Sequence, residues 1–431
     1  MTRISLAASL MAIAVLCVAC GGGGGGTSSN QPAVPASSST GDNSPGQGSQ
    51  SPGETGGGTG TPVGNQITVS VAANQFGSVD APIASVTICV AGTTTCQTIP
   101  DVLVDTGSFG LRLAASAIPS SFPLARATAS AGGTLAECAI FGSGTTWGSV
   151  AHVDVHLAGE VAPQLPIQIV GDNAVGAAPS FCTDQGSGDI SSAQLMGYNG
   201  ILGVGLEDQD CGSDCAGSNA LGLYYGCATT NSASCLGTTV PLAAQVSNPV
   251  ANFPADNNGT ILQLPSVVAG GAASATGTLT FGIGTQSDNA LASNATVYTL
   301  TGLNSEQPLT FTTKFKGVSY TDSYIDSGSN GLFFDDTAIA SCADMPFWCP
   351  TSPFSSTASI TGANNAQSTQ SFSISNADTM IEQNNDYAMP ELGAQLSGAF
   401  DWGLPFFFGR SVYTAIDGHA AGGSTGPYYS F

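Results

Sequence analysis

Basic side chains are nearly missing from this sequence. Six Lys and Arg stand against 29 Asp and Glu among 431 residues, a formal net charge of −23, and there are three histidines. Arg3 lies in the N-terminal segment, which leaves five basic residues for the rest of the chain. Phosphate recognition needs clustered Lys and Arg, so nucleic acid is excluded as a partner. The acid excess speaks of solubility more than of fold. A Ser–His–Asp hydrolase is also read against, because it needs a placed His and His419 sits in a Gly-rich tail. The other two histidines flank Asp154 in "AHVDVHL". On a strand His152, Asp154 and His156 share one face, but residues four apart are about 13 Å apart, too far to hold one ion. They are read as a solvated strand face.

The N-terminus is read as a targeting segment. Arg3 precedes "ISLAASLMAIAVL" and then "CVAC". A short basic region, a short apolar core and small residues before a cleavage point make an export signal. The run is too short for a comfortable membrane span. Cys20 resembles the acceptor cysteine of bacterial lipoproteins, so residues 1–20 are expected to be a lipoprotein signal and Cys20 the lipidation site. Gly21, in place of Asp, favours the outer membrane. The expected location is the cell envelope, with membrane contact through the N-terminal lipid only. Residues 21–66 hold almost no large apolar side chain and cannot bury enough surface to fold; they are expected to be a disordered Gly/Ser/Pro tether.

Twelve cysteines are present. Cys17 leaves with the signal and Cys20 is assigned to lipid. Ten remain, an even number that suggests disulfides in an exported protein. Short spacings favour Cys89–Cys96, Cys211–Cys215, Cys227–Cys235 and Cys342–Cys349, which leaves Cys138–Cys182. Zinc is the alternative, but no paired C-x-x-C spacing occurs and histidine is scarce. No metal or other cofactor is expected.

From residue 67 the chain alternates and turns often. "ITVSVAA", "SVTICVA", "VLVDTG", "VAHVDVHLAG", "PIQIVG", "TILQLP", "TLTFGIG" and "VYTAIDG" read as strands punctuated by Gly, Pro, Asn and Asp. Helical periodicity is scarce, "PLAAQVSN" being one short exception. This predicts an all-β architecture. The stretch 266–277, "SVVAGGAASATG", reads as a surface loop. It places a boundary between an N-terminal lobe, 67–275, and a C-terminal lobe, 276–431.

One pattern occurs twice: "VLVDTGSFGLRL" at 102–113 and "SYIDSGSNGLFF" at 323–334, with aspartates 221 residues apart. In each, a strand delivers Asp to a loop whose Gly allows close backbone approach. Thr106 and Ser327 offer hydroxyls to main-chain groups across an interface, and Ser108 and Ser329 can orient the carboxylates. Two such loops meeting at a symmetry axis would bring Asp105 and Asp326 together. Two touching carboxylates cannot both ionise readily, so the pair holds one proton. The ionised member can take a proton from water while the protonated one polarises an amide carbonyl.

These residues resemble the pepsin-like aspartic proteases. "SVTICVAGTTTCQTIPDVLVDTGS" is similar to the hairpin that enters the family's first Asp loop, and "AIFGSGTTWGSVAHVDVHLAG" to its flap. "NGILG", "GTLTFGIG" and "WGLPFFFGRSVYTAID" follow in the family's order. The resemblance implies a two-lobed, pepsin-like double barrel with an interlobe cleft. Asp105 and Asp326 are the implied catalytic residues, supported by Thr106, Gly107, Ser108, Ser327, Gly328 and Ser329. Phe141, Gly142, Ser143 and Gly144 form the implied substrate-binding flap. The partner is an extended peptide or protein substrate and the chain a monomer. More narrowly, the Gly-rich run after Cys20, "FDWGLPFFFGR" and "GPYYSF" resemble a bacterial group of exported lipoproteins, from which no function follows. Two departures stand out. Phe141 occupies the flap position usually held by Tyr, and the apolar–apolar–Gly segment after the second Asp reads as Gly403-Leu404-Pro405. Two functions are therefore carried forward: an aspartic endopeptidase of the cell envelope, and a catalytically inactive binding or structural protein on the same fold.

Overall fold

The computed structural model describes residues 64–130, 132–184, 188–228, 235–301 and 309–431. The signal, Cys20 and nearly all of the expected tether lie outside the described residues. The tether is shorter than expected at its end. Asn65 is already buried, its amide donating to Phe281 O at 3.2 Å, and Gln66 begins a strand.

Alternation of apolar side chains builds that strand, Gln66–Ala72. Ile67, Val69 and Val71 turn inward while their neighbours meet solvent. It pairs antiparallel with Ser274–Phe281, from Gln66 opposite Thr280 to Ala72 opposite Ser274. Only the first part of stretch 266–277 is therefore loop, and the expected boundary between 275 and 276 falls inside a strand. Ser274–Phe281 also pairs with Gly259–Gln263, which pairs with Ser411–Ala415, and that with Tyr428–Ser430. Chain from both ends thus meets in one sixteen-stranded sheet. A second, seven-stranded sheet is drawn from residues 311–402. The "PLAAQVSN" stretch gives one short 3-10 turn, Leu242–Ala244.

The fold is all-β, as expected, and its strand registers carry the duplication. Strand Cys96–Asp105 runs parallel to Gly200–Val204, with Val104 opposite Leu202 and Asp105 opposite Gly203. After the Asp loop the chain returns as Phe109–Ala114, antiparallel to that same Gly200–Val204 strand. In the second half, Val318–Ile325 runs parallel to Ala399–Trp402, with Tyr324 opposite Asp401 and Ile325 opposite Trp402. Leu332–Phe334 then returns antiparallel to it. Each aspartate is held by the same three-strand weave.

Beneath the second weave lies an aromatic core. Phe334 stacks on Phe400 with centroids 5.0 Å apart and meets Trp348 edge-on at 4.6 Å. Trp402 meets Phe406 at 5.2 Å and donates its indole N–H to Thr313 Oγ1 at 3.0 Å. Burying that N–H requires such a partner. The four disulfides favoured by spacing are formed, Cys89–Cys96, Cys211–Cys215, Cys227–Cys235 and Cys342–Cys349, and so is the pair they leave, Cys138–Cys182.

One reading of a strand face is corrected. Asp154 is buried, not solvated. Its carboxylate accepts the Gly92 N–H at 2.7 Å and the Gln164 N–H at 2.8 Å, tying two turns to the strand. The register shifts here, with Pro163 and Gln164 of the neighbouring strand standing against Asp154 alone, an arrangement that presents the Gln164 N–H to its carboxylate.

Acidic groups crowd together where the chain leaves the first weave. Asp417 N–H donates to Leu206 O at 2.7 Å, and His419 Nε2 lies 3.1 Å from Asp208 Oδ1. Burial, then the charges of Asp417 and Asp208, push Glu207 up from 4.5 to about 7. The unfolded chain releases this proton near 4.5, whereas the fold holds it to about 7. The folded state therefore loses stability as pH rises through that window. Glu207→Gln is expected to gain about 1 kcal/mol at pH 8, allowing for solvent screening, and nothing at pH 4. Urea unfolding at the two pH values checks this; an equal effect at both contradicts it.

Candidate active site

The two Asp loops meet and complete one another. Thr106 N–H donates to Ser327 Oγ at 3.1 Å, and Ser327 N–H donates to Thr106 Oγ1 at 2.9 Å. Each hydroxyl also donates to the opposite strand, Ser327 Oγ to Val104 O at 2.7 Å and Thr106 Oγ1 to Ile325 O at 3.4 Å. Thr and Ser are suited to this because one hydroxyl both accepts and donates. The glycines that follow are required by the approach. A Cβ on Gly107 would stand 2.4 Å from Asp326 Cγ, and one on Gly328 would stand 2.6 Å from Asp105 Oδ1.

Asp105 and Asp326 are thereby brought together, 6% and 1% exposed, close enough that a Cβ on Gly328 would crowd Oδ1 of Asp105 at 2.6 Å and of Asp326 at 3.2 Å. Each is oriented by its own loop in the same way. Asp105 accepts Gly107 N–H at 2.8 Å and the Ser108 hydroxyl at 2.5 Å. Asp326 accepts Gly328 N–H at 2.7 Å and the Ser329 hydroxyl at 2.8 Å. Burial raises the Asp326 carboxyl well above its ordinary range; the Asp105 charge and the bond to Asp105 add to this, and Ser329 and Gly328 partly oppose it. Burial and the neighbouring charge thus favour the protonated form of Asp326.

A hairpin covers the pair. Strands Thr134–Phe141 and Gly144–Leu157 are joined by a tight turn at Gly142-Ser143. Phe141, Gly142 and Ser143 line a cavity of about 120 Å³ whose floor carries both aspartates. The rest of its wall is mostly apolar, with Leu103, Met196, Tyr198 and Ile201 among the lining. Gly144 takes φ +147°, and a Cβ there would lie 2.4 Å from Gly188 O. The structure thus brings every expected loop and hairpin residue to one place.

A profile of the family described as "Protein of unknown function (DUF3443)" matches residues 61–431. The chain belongs to that family. No curated protein matches it. Among solved structures, an aspartic proteinase from Irpex lacteus aligns with 85% of this chain and 96% of its own, at 15% identity and a TM-score of 0.47.

Two features of this DUF3443 chain escaped the sequence reading. The first concerns the segment beside the second Asp. Strand register sets Asp401-Trp402-Gly403, not Gly403-Leu404-Pro405, in the place that Ile201-Leu202-Gly203 fills beside Asp105. Pro405 lies one step further on, in the 3-10 turn Leu404–Phe406. A carboxyl group therefore stands where the first half has isoleucine. The second feature is a buried ionic cluster on the other side of the Asp105 loop. Arg112 donates through Nη2 to Glu137 Oε1 at 2.6 Å and Asp210 Oδ2 at 3.0 Å, and through Nη1 to Phe109 O at 2.7 Å. Tyr224 OH completes it, donating to Asp210 Oδ1 at 2.7 Å. The guanidinium also lies over the Phe141 ring, 5.4 Å from its centroid, a cation–π contact in place of a hydroxyl hydrogen bond. The cluster lines a second cavity of about 310 Å³ that shares Gly107, Ser108 and Phe141 with the first. The signal was present: an Arg inside "FGLRLA" and a Glu inside "TLAECAIF", each within an otherwise apolar strand.

Proposed function

We propose that this chain is an aspartic endopeptidase. The observation that carries the reading is the contact of two carboxyl groups, each fixed by an amide and a serine, beneath a hairpin turn. The pair shares one proton. The ionised carboxylate takes a proton from a water lying between the two groups, and that water attacks the peptide carbonyl carbon. The protonated carboxyl donates to the carbonyl oxygen, and proton return to the amide nitrogen releases the amine. Burial and the neighbouring Asp105 charge favour the protonated form of Asp326, as the acid of such a pair requires.

The substrate is an extended peptide that adds a strand alongside the hairpin and is held largely through its backbone. The wall of Leu103, Met196 and Ile201 favours an apolar side chain next to the scissile bond. Five disulfides support work in an oxidising compartment, which agrees with the export signal read at the N-terminus. On this reading the folded part acts in the cell envelope, tethered through Cys20.

The test is cleavage of a denatured protein from pH 3 to 7, together with binding of a statine-type peptide. Expected are cleavage with an acidic optimum and saturable binding that blocks it. Binding without cleavage at any pH would mark an inactive peptide-binding member of the fold. Failure of both would remove the enzymatic reading.

A further inference from the structure

Asp401 is the least explained charged residue in the molecule. It is 0% exposed, and neither carboxyl oxygen has a hydrogen-bond partner of good geometry among the described residues. An ionised carboxylate in that state is strongly disfavoured, since nothing replaces its lost hydration. Its place is fixed by strands on both sides: Tyr324 opposite it in one neighbour and Phe333 in the other. The chain beyond it is clasped to the second Asp loop, with Leu404 N–H donating to Ser329 O at 2.7 Å. Ser329 in turn donates its hydroxyl to Asp326 Oδ2 at 2.8 Å.

The charges facing Asp401 are of one sign. Asp326 and Asp105 approach from the two loops, Tyr324 from the adjoining strand and Tyr429 from the C-terminal strand, while Phe333 and its neighbours Leu332 and Phe334 bring no charge. No Lys, Arg or His among the described residues forms an ion pair with it. Burial, then the nearby Asp326 charge, raises its carboxyl well above 3.8, and the nearby Ser329 hydroxyl partly opposes this.

We propose that Asp401 is a third carboxyl group of the site, a positioning residue that stays protonated and donates its O–H to Ser329 Oγ. Ser329 then keeps its own proton directed at Asp326. The single negative charge of the cluster stays on the Asp105–Asp326 pair, where it is useful. When Asp401 ionises, it becomes an acceptor, competes for the Ser329 proton and draws the charge away from the pair. Activity on the alkaline side is therefore limited by Asp401. The part of this inference that concerns cleavage rests on the endopeptidase reading; the part that concerns protonation does not.

The experiment uses the full chain with aspartate carboxyl carbons labelled with 13C, followed by NMR from pH 3 to 9. The Asp401 signal is assigned by its loss in Asp401→Asn. Expected is a midpoint well above the ordinary 3.8; a midpoint at the ordinary value overturns the proposal whether or not the chain cleaves anything. In the cleavage assay, Asp401→Asn cannot ionise and still donates. It is expected to lose less activity than Asp401→Leu and to move the alkaline limb up by about one pH unit. Asp401→Leu, which fits the space Ile201 fills in the first half, is expected to lose roughly tenfold at every pH. Coincident limbs for wild type and Asp401→Asn, or equal loss in the Asn and Leu variants, overturn the positioning role and leave the endopeptidase reading intact. A raised midpoint in a chain that cleaves nothing overturns the endopeptidase reading and leaves the protonation assignment intact.

Discussion

Asp326→Asn is expected to lose peptide cleavage by on the order of a thousandfold or more across pH 3 to 7. The amide keeps the shape and accepts the Ser329 hydroxyl, but it can neither give nor take the proton the pair shares. Stability is expected to move in the opposite direction. The folded state holds the Asp326 proton well above the range in which the unfolded chain releases it. Wild type therefore loses stability as pH rises above the ordinary carboxyl range, and the Asn variant does not. An inactive protein that unfolds later than wild type at neutral pH separates lost chemistry from lost fold. Asp105→Asn should match the loss of cleavage, because the groups act as one unit. Cleavage that survives either change would come from somewhere else.

Arg112→Met is expected to destabilise the fold by about 3–5 kcal/mol, measured by urea unfolding. Removing the guanidinium strands Glu137, fully buried, and Asp210 without their cation. A methionine fills most of the space, so the loss is electrostatic and not a cavity. The control is the triple change Arg112→Met, Glu137→Leu, Asp210→Asn. Taking out the whole cluster leaves no orphaned charge and should recover most of the stability. If the single and triple variants are equally unstable, packing accounts for the effect and the charge argument is wrong. Either variant also removes the cation under Phe141, so it reports separately on the hairpin: KM is expected to rise in both.

The parts of the site that were readable beforehand are those that local chemistry or repetition fixes. Asp105 and Asp326 announced themselves because a twelve-residue pattern recurs at a constant offset, and four disulfides because their partners are near neighbours in sequence; the fifth, Cys138–Cys182, followed by elimination. Strands such as Gln66–Ala72 were readable because one face is apolar. Arg112, Glu137 and Asp210 were not: they are 25 and 98 residues apart, and only the crossing of sheet neighbours unites them. Asp401 was missed because a three-residue template was laid two positions too late, on the glycine and proline that read as a turn. Strand pairing with Tyr324 and Ile325 settles that alignment, and pairing is a long-range property. Asp154 misled for a related reason. Alternation assigns it the face of two histidines, and what buries it there, the main chain at Gly92 and Gln164, comes from elsewhere in the sequence and leaves no mark in composition.

The crossed hydroxyls of Thr106 and Ser327 have a consequence for traffic through the molecule. They bolt the floor of the cleft from both sides, with each bolt anchored in the opposite half. A floor fastened in this manner cannot breathe without breaking four bonds at once. On the endopeptidase reading, entry and exit then fall to the roof, at a doorway of two small residues, Gly142 and Ser143, whose doorpost is an aromatic ring propped by a buried cation.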